Sequence, residues 1–238
     1  MLFAPSRRRP TGLALALLLA LPCGARGADI AAVTGPAGQT IALSGLIQPG
    51  DDAKLASVLA AAHHPTSLSL ASLGGNVQAA LAIGMMVRRE GLHTAVAPRS
   101  ICASACGLVW LAGTSRVMGQ DAHVGLHAAY LRRNGVDVET GAANALIGAY
   151  LGRLGFDDRA IVYLTSAPPE EMTWILPADR QRYGIAFDTA TPALASAAAP
   201  ADEHLLSRPM ALAGAIASAA VAAVDRLMGG RAAPSDDR

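Results

Sequence analysis

The chain has 238 residues, of which 52% are hydrophobic and only 4% aromatic, and its formal net charge is +1. This length allows one domain of ordinary size with terminal extensions, and the core must consist mainly of Ala, Leu, Val and Ile. The balanced charge gives no electrostatic support for nucleic-acid binding, and the chain has neither a Gly-rich phosphate loop nor zinc-type cysteine spacing. We therefore expect no nucleic-acid partner, no cofactor and no metal.

Residues 1–27 have the pattern of an export signal. Three consecutive arginines precede the apolar run 12–21, which is too short to span a bilayer. Ala25 and Gly27 place small residues at the two positions that a signal peptidase reads, so cleavage is expected after Gly27. The alternatives are an uncleaved membrane anchor and a lipoprotein signal at Cys23, which the preceding proline disfavours. Each of them places the domain outside the cytoplasm, in the periplasm or secreted.

Strand and helix patterns then alternate over residues 28–190, which we take as one domain. Strands are predicted at 40–46, 67–71, 93–97, 116–118, 122–126 and 185–187, and helices at 53–62, 77–90, 103–112, 143–152, 157–165 and 178–183. This βαβα alternation predicts an α/β fold with parallel strands and crossover helices.

The composition changes after the predicted domain. An Ala-, Ser- and Pro-rich segment predicts a linker at 191–208, an apolar Ala-rich helix is predicted at 209–227, and 228–238 is predicted to be a disordered tail. The apolar part of that helix, 209–224, is short for a transmembrane span. Three interpretations stay open: a helix that packs in an oligomer or on the domain, a membrane-associated helix, and a poorly ordered tail.

Two turns carry candidate catalytic groups. In "SLGGN", Gly74 and Gly75 let the backbone approach another group closely and turn amide N–H groups outward at a helix start. In "RSICASACG", Ser104 follows a strand and opens an apolar helix, which is a position suited to a nucleophile. The amides of Gly75 and Ala105 would together form an oxyanion hole. An ordinary turn and a small packing residue explain each motif equally well when it is taken alone.

A histidine follows the next predicted strand. His127 could accept the Ser104 proton and return it to a leaving amine. A single histidine near a strand end is more often structural, and we interpret His123 and the pair 63–64 in that way.

Two cysteines flank the serine. Cys102 and Cys106 are the cysteines that remain after removal of the signal, in an oxidising compartment. At this spacing on a helix their Cα atoms would lie about 6 Å apart, near the upper limit for a disulfide. A disulfide and two packed thiols remain open. In both cases the pair is expected to shape the turn that carries Ser104, without acting as nucleophile or metal ligand.

Taken in order, these motifs resemble the proteolytic subunit of the Clp protease and, more broadly, the Clp protease and crotonase superfamily, over about residues 39–188. The matching pieces are Ile41–Gly45, Ser72–Gly75, Ala103–Ala105, Leu111–Gly113, Leu126–His127 and Ala178–Ile185. The expected relatives are exported bacterial proteins with a "CASAC" serine motif.

The resemblance implies a spiral of βαβ units and hydrolysis of peptide bonds. It implies Ser104 as nucleophile, His127 as general base, and the Gly75 and Ala105 amides as oxyanion donors. The substrate would be a peptide or an unfolded protein segment, and the family also suggests a homo-oligomer.

The chain departs from the family at the third triad residue. The position of the family's aspartate falls on Met172 or Thr173, neither of which is a carboxylate. The adjacent Glu171 is our candidate for the third catalytic residue, and the Thr173 hydroxyl is an alternative. Loss of the orienting acid lowers the rate of a triad enzyme by up to about four orders of magnitude.

Other members of the superfamily suggest partners and mechanisms that this chain does not fit. The segment by which the Clp subunit meets its ATPase is absent, and no ATPase partner is expected outside the cytoplasm. Some relatives use a Ser-Lys dyad, but the single lysine, Lys54, lies in the first predicted helix and is not expected to reach Ser104. Coenzyme A, the ligand of the crotonases, is not expected in that compartment.

Two hypotheses result. The first is an exported serine peptidase, which the serine, the histidine and the two glycines favour. The second is a catalytically weak or inactive module that binds extended peptides or a membrane partner, which the missing carboxylate favours.

Overall fold

Eleven strands and six helices form within the residues that the structure, a computed structural model, describes: 27–35 and 38–189. The strands are β1 (Asp29–Gly35), β2 (Gly38–Ser44), β3 (Ser67–Ala71), β4 (His93–Val96), β5 (Ile101–Ala103), β6 (Arg116–Met118), β7 (His123–Leu126), β8 (Tyr130–Arg133), β9 (Val136–Glu139), β10 (Thr173–Trp174) and β11 (Asp188–Thr189). The helices are α1 (Asp51–Ala61), α2 (Val77–Arg89), α3 (Ala105–Leu111), α4 (Gly141–Arg153), α5 (Asp158–Leu164) and α6 (Asp179–Arg182).

The main sheet has six strands in the order β1-β2-β3-β4-β6-β11. From β2 to β11 all neighbouring strands are parallel, and β1 pairs antiparallel with β2 at one edge. Parallel neighbours need crossover connections, which α1 supplies between β2 and β3 and α2 between β3 and β4. The predicted α/β fold with parallel strands and crossover helices is therefore confirmed.

A smaller sheet carries the residues of interest. Its order is β10-β7-β5, with β5 parallel and β10 antiparallel to β7. Ser72, which directly follows β3, forms an isolated bridge with Cys102 of β5. The small sheet is therefore joined to the main sheet at the carboxyl end of β3. Strands β8 and β9 form a separate hairpin directly after β7.

The side chain of Asn76 caps the start of α2, the helix that follows the glycine turn. The side chain of Asn76 accepts a hydrogen bond from the Ala79 amide at 2.9 Å, as expected of an N-cap asparagine. Its buried face carries Ala80, Ile83 and Val87. The helix start is therefore fixed at the point where the Gly74-Gly75 turn ends.

The core is aliphatic, as the composition predicts, with two large aromatic residues at its centre. Trp110 and Tyr150 are completely buried, and each has a hydrogen-bond partner for its polar atom. Trp110 Nε1 donates to the Val117 carbonyl at 3.2 Å, and Tyr150 Oη donates to the Leu108 carbonyl at 2.9 Å. These bonds satisfy groups whose burial alone would be costly.

Some elements differ from the sequence prediction. Strands β1, β5, β8, β9 and β10 were not predicted, and the last strand lies at Asp188–Thr189, not at 185–187. The helix predicted at 103–112 begins at Ala105, because residues 101–103 extend to pair with β7. Cys102 therefore lies on a strand and not on a helix, which changes the geometry assumed for the cysteine pair.

Several predictions concern residues outside the described ranges. They are the signal up to residue 26, the linker at 191–208, the helix at 209–227 and the tail at 228–238. Within residues 27–35 and 38–189, no helix is both long enough and apolar enough to cross a membrane.

Candidate active site

Ser104 occupies a strained turn between β5 and α3. Its backbone has φ 55° and ψ −124°, a conformation that side-chain-bearing residues rarely adopt and that costs about 1–3 kcal/mol. Two hydrogen bonds hold the turn: the Ser104 amide donates to the Gly125 carbonyl at 2.8 Å, and the Ser104 carbonyl accepts from the Gly107 amide at 2.9 Å. Strain of this kind that the surrounding structure maintains is frequent at functional sites.

A disulfide spans this turn. Cys102 on β5 and Cys106 on α3 are bonded, with their Cα atoms 5.1 Å apart, and both residues are completely buried. The bond joins the strand before Ser104 to the helix after it. Within the described residues no group of three or more His, Cys, Asp or Glu side chains could hold a metal ion.

The glycine turn packs directly against the serine turn. The Ser72 amide donates to the Ile101 carbonyl, and the Ser72 carbonyl accepts from the Ala103 amide, both at 3.0 Å. Gly74 has φ +94°, and a Cβ atom on it would lie 2.6 Å from the Ala103 carbonyl oxygen and 2.8 Å from Ser104 Cβ. Only glycine fits this contact without a shift of the serine turn.

Two backbone amides at this contact are unused. Ile47 bonds to both neighbours of Gly75: its amide donates to the Gly74 carbonyl and its carbonyl accepts from the Asn76 amide, each at 2.8 Å. Gly75 itself donates no hydrogen bond to any described residue, and neither does Ala105, the first residue of α3. Unpaired amides at a helix start are suitable donors to an oxyanion.

His127 follows β7 and has a fixed tautomer. Its Nδ1 atom lies 2.8 Å from the Ala128 carbonyl oxygen. Because a carbonyl only accepts hydrogen bonds, Nδ1 must carry the hydrogen, and Nε2 of the neutral ring then holds the free lone pair. The Tyr130 ring lies beside the imidazole, with their centroids 5.5 Å apart. The imidazole is thus prepared to accept a proton at Nε2.

The serine and the histidine line one cavity. Its volume is about 10 Å³, close to the smallest space that holds one water molecule. The remaining wall is almost entirely apolar and consists of Val77, Ala105, Leu108, Leu126, Ala129, Ile147, Leu164 and Thr165. Ser104 and His127 share no side-chain hydrogen bond in the structure, although both side chains reach this cavity.

The register between β7 and β10 places a methionine opposite His127. Thr173 pairs with Leu126 and Trp174 with Gly125 in antiparallel sense, so Met172 comes opposite His127. The Thr173 hydroxyl lies 3.4 Å from the Ser166 hydroxyl and forms no hydrogen bond with the imidazole. Glu171 is exposed and its side chain makes no hydrogen bond with a described residue, so its role remains a prediction.

One carboxylate outside the predicted set lies near the histidine. The pKa of Asp137 on β9 is lowered, mainly by the hydrogen bonds that its oxygens accept from Arg132 at 2.7 Å, and His127 adds a smaller electrostatic effect. Asp137 was not predicted from the sequence, and neither was the Ala128 carbonyl, because neither lies in a motif. The carboxylate of Asp137 is fully engaged with Arg132.

Lys54 is occupied elsewhere. Its Nζ donates to the Ala28 carbonyl at 2.6 Å and lies 4.0 Å from an Asp29 carboxylate oxygen. It does not line the Ser104 cavity. This placement is consistent with a Ser-His arrangement and leaves no lysine beside the serine.

A larger cavity lies on a different part of the small sheet. Its volume is about 290 Å³, and its lining includes His123, Trp174 and Gln120. Neither Ser104 nor His127 reaches it, and it presents no nucleophile beside a base. The candidate pair of Ser104 and His127 therefore lies at the smaller cavity.

Comparison with known proteins gives a fold. No protein-family model matches the chain, and no curated protein matches its sequence. A variant of the 1510-N membrane-bound stomatin-specific protease matches with a TM-score of 0.50 and 16% identity, covering 63% of this chain and 77% of that chain. A second variant of that protease, in complex with a substrate peptide, matches with a TM-score of 0.49 and 16% identity, covering 63% of this chain and 73% of that chain.

The ClpP protease catalytic domain from Plasmodium falciparum matches with a TM-score of 0.47 and 16% identity, covering 63% of this chain and 83% of that chain. At these identities the similarity concerns the fold alone. The described part of the chain has a ClpP-like α/β fold, as the motif order implied.

Proposed function

We propose that this protein is an exported ClpP-like serine peptidase that hydrolyses peptide bonds with Ser104 as nucleophile and His127 as general base. One observation carries the proposal: a serine on a strained strand-to-helix turn and a histidine with a free Nε2 line one cavity, next to two unused amides. Each part separately has a structural explanation, whereas their convergence is what acyl transfer requires.

The chemistry follows from these positions. Ser104 Oγ attacks the carbonyl carbon of the scissile peptide while its proton moves to His127 Nε2. The negative charge that develops on the carbonyl oxygen is stabilised by the amides of Gly75 and Ala105. The C–N bond then breaks, the imidazolium returns its proton to the leaving amine, and water hydrolyses the acyl-enzyme by the same route in reverse.

Two groups are candidates for orienting the imidazole. The Ala128 carbonyl already accepts the Nδ1 hydrogen and selects the tautomer that the reaction needs. A carbonyl stabilises an imidazolium less than a carboxylate does, which makes this serine a slow nucleophile. The Glu171 carboxylate is the second candidate, and it has to approach Nδ1 for that role.

The setting of the reaction is part of the proposal. Export through the signal at 1–27 places the enzyme in the periplasm or outside the cell, where peptides or unfolded segments are the substrates and no ATPase takes part. Association with a membrane through 209–224 and assembly of a homo-oligomer are further parts. The exposed apolar side chains of the β8–β9 hairpin, Leu131, Val136 and Val138, support the oligomer.

The alternative is a module of this fold that binds extended peptides or a membrane partner without cleaving them. The observation that favours it is the hydrogen bonding of His127, whose Nδ1 meets a backbone carbonyl and not a carboxylate. Reactivity of Ser104 separates the two functions.

The deciding experiment uses a serine-directed fluorophosphonate probe on the purified protein. We expect labelling of the wild type at Ser104, identified by peptide mass spectrometry, and none in Ser104→Ala. Ser115→Ala is the matched control, because Ser115 Oγ lies 2.8 Å from His93 Nδ1 and forms a second, exposed Ser-His pair. Absence of labelling at every pH from about 6 to 9 would contradict catalysis and leave the binding module, because an ordinary imidazole is neutral over most of that range.

A further inference from the structure

The buried carboxylate of Asp51 forms a hydrogen bond with Ala28, near the beginning of the described residues. Asp51, the first residue of α1, is only 5% exposed. Its Oδ2 atom accepts hydrogen bonds from the Ala28 amide at 2.8 Å and from the Gln48 amide at 2.7 Å. Ala28 itself is completely buried, and the Lys54 ammonium holds its carbonyl at 2.6 Å.

Asp51 forms no salt bridge with any described residue. Within the described residues, no lysine, arginine or histidine nitrogen lies within 4.0 Å of its carboxylate. Burial of a carboxylate without an opposite charge is unfavourable, and proteins usually pair such groups. A cation at the position of the Ala28 nitrogen would supply the missing partner.

We propose that the mature chain begins at Ala28 and that its free α-ammonium group pairs with the buried Asp51 carboxylate, so that signal removal completes the fold. This inference rests on the export part of the proposed function and is independent of whether Ser104 is reactive.

The chemistry balances with water as the co-reactant of a signal peptidase. Hydrolysis of the Gly27–Ala28 peptide bond places the carboxylate on Gly27 and the amine on Ala28, which takes up a proton at neutral pH. A neutral amide donor to Asp51 is thereby replaced by a charged donor on the same nitrogen atom. The amide bond to Asp51 already has one charged partner, and the ammonium group adds a direct attraction between two opposite charges.

Residue 27 distinguishes a cleaved chain from an uncleaved one. A Cβ atom on Gly27 would lie 2.5 Å from Asp51 Oδ1, so in an uncleaved chain a larger residue at this position would press on the buried carboxylate. In a chain that begins at Ala28, residue 27 is gone and its size is irrelevant to the folded protein. An uncleaved chain therefore predicts that Gly27→Ala destabilises the folded protein, whereas a chain that begins at Ala28 predicts no effect.

The first test is Gly27→Ala in the full exported chain. Alanine is a favoured residue before a signal cleavage site, so processing should continue. We expect wild type and Gly27→Ala to have the same intact mass, an N-terminal Ala28 by sequencing, and the same melting temperature. A retained residue 27, an N-terminus at another residue or a lower melting temperature for Gly27→Ala would overturn the proposal.

The second test separates an ion pair from ordinary hydrogen bonding. Asp51→Asn keeps an oxygen acceptor and removes the charge, and we expect it to lower the melting temperature at pH 7 by roughly 5 °C. Asp52→Asn, one residue further along the same helix turn, is the matched control and should change it little. Both are measured on protein shown by mass spectrometry to begin at Ala28.

The pH dependence of the melting temperature distinguishes an ion pair from ordinary amide hydrogen bonds. An adjacent carboxylate raises the pKa of an amine above the roughly 7.7–8.0 of a free α-amino group. The stabilisation is therefore complete below about pH 8 and is lost as the pH rises through the raised pKa. The other charged groups next to Ala28, Lys54 and Asp29, are the same in both proteins, so their titration cancels in the comparison.

We expect the difference in melting temperature between wild type and Asp51→Asn to shrink from pH 7 to pH 9.5. A difference that stays constant would show that Asp51 only accepts amide hydrogen bonds, and the ion pair would be wrong. These measurements do not use activity, so they remain informative if the fluorophosphonate probe fails to label Ser104.

Discussion

Gly74 is the residue on which the geometry of the serine turn depends most directly. Its φ of +94° and its contact with the Ala103 carbonyl and the Ser104 Cβ atom both require the absence of a side chain. These are separate requirements, since the first concerns backbone strain and the second concerns space. A control glycine that has a positive φ but open space around it can therefore isolate the steric effect.

We predict that Gly74→Ala lowers the rate of Ser104 labelling at least tenfold, because the new Cβ displaces the turn that presents the hydroxyl. The steric cost is about 1–3 kcal/mol in addition to that of the positive φ. Gly50→Ala is the matched control: Gly50 has φ +96°, and a Cβ atom on it would have no other atom within 4 Å. Equal labelling of the two variants, both folded by circular dichroism, would contradict this role of Gly74.

The identity of the group that orients His127 can also be tested at single residues. If Glu171 orients the imidazole, Glu171→Gln should lower the labelling rate at least tenfold, because the loss of an orienting acid costs up to about four orders of magnitude. Glu170→Gln is the control, since Glu170 is the exposed neighbour. Equal small effects of the two substitutions would assign the orientation to the Ala128 carbonyl.

At the scale of elements, the disulfide joins β5 to α3 on both sides of Ser104. Cys102 and Cys106 are buried in the core and do not line the Ser104 cavity, so they act on the turn and not on the substrate. Ser104 is also held by its amide bond to Gly125. The turn therefore has a support that does not depend on the disulfide.

We predict that the double substitution Cys102→Ala and Cys106→Ala lowers the free energy of unfolding by about 2 kcal/mol, the chain-entropy value for so short a loop, yet keeps labelling at Ser104. Denaturant titration and probe labelling measure the two effects, and mass spectrometry of unreduced protein checks the bond. Loss of labelling in a folded double variant would show that a cysteine takes part in the chemistry.

The sequence predicts the strands and helices of the parallel sheet well, for a physical reason. Strand β3, found at its predicted bounds, has two alternating leucines and is followed by the glycine turn and the long helix α2. Strands β5 and β10 have only three and two residues. Their pairing depends on partners distant in the chain, and such short segments carry no periodic signal.

The β8–β9 hairpin has a sequence signal in its turn, the dipeptide Asn134-Gly135. Asn134 and Gly135 have φ of 51° and 80°, as in the tight turns that Asn-Gly favours between antiparallel strands. The flanking residues are largely exposed on both faces, so hydrophobic alternation was weak. The dipeptide alone would have predicted the hairpin.

The candidate site also contains groups that the sequence predicts and one group that it does not predict. Ser104, His127 and Gly75 lie in motifs whose order along the chain was informative, and the structure brings their turns together. The Ala128 carbonyl that holds Nδ1 is a backbone group, and any residue at that position would provide it. Sequence patterns report side chains, so an orienting group of this kind leaves no trace in them.

At the scale of the whole molecule, the cavity beside Ser104 is a product of the entire fold. Its apolar wall combines side chains from α2, α3, β7, α4 and α5: Val77, Leu108, Leu126, Ile147 and Leu164. Four of these, all but Val77, are at least nine-tenths buried and packed in the core. The size of the cavity is therefore set by packing between distant elements.

On the proposed function, the cavity beside Ser104 receives the substrate side chain that precedes the cleaved bond, and its size limits that side chain. A volume of about 10 Å³ accommodates a methyl group far better than an isobutyl or benzyl group, since a packed core resists expansion.

We predict that peptidyl phosphonate probes carrying alanine at that position label Ser104 at least tenfold faster than leucine or phenylalanine probes. Ile147→Ala, which removes buried volume from the wall, should narrow this preference, whereas Leu146→Ala, its exposed neighbour on α4, should leave it unchanged. Rates are measured by mass spectrometry of the labelled peptide. Faster labelling by the leucine or phenylalanine probe in the wild type would contradict the size argument while leaving Ser104 as the nucleophile, because reactivity with any of the three probes already requires the serine to be activated.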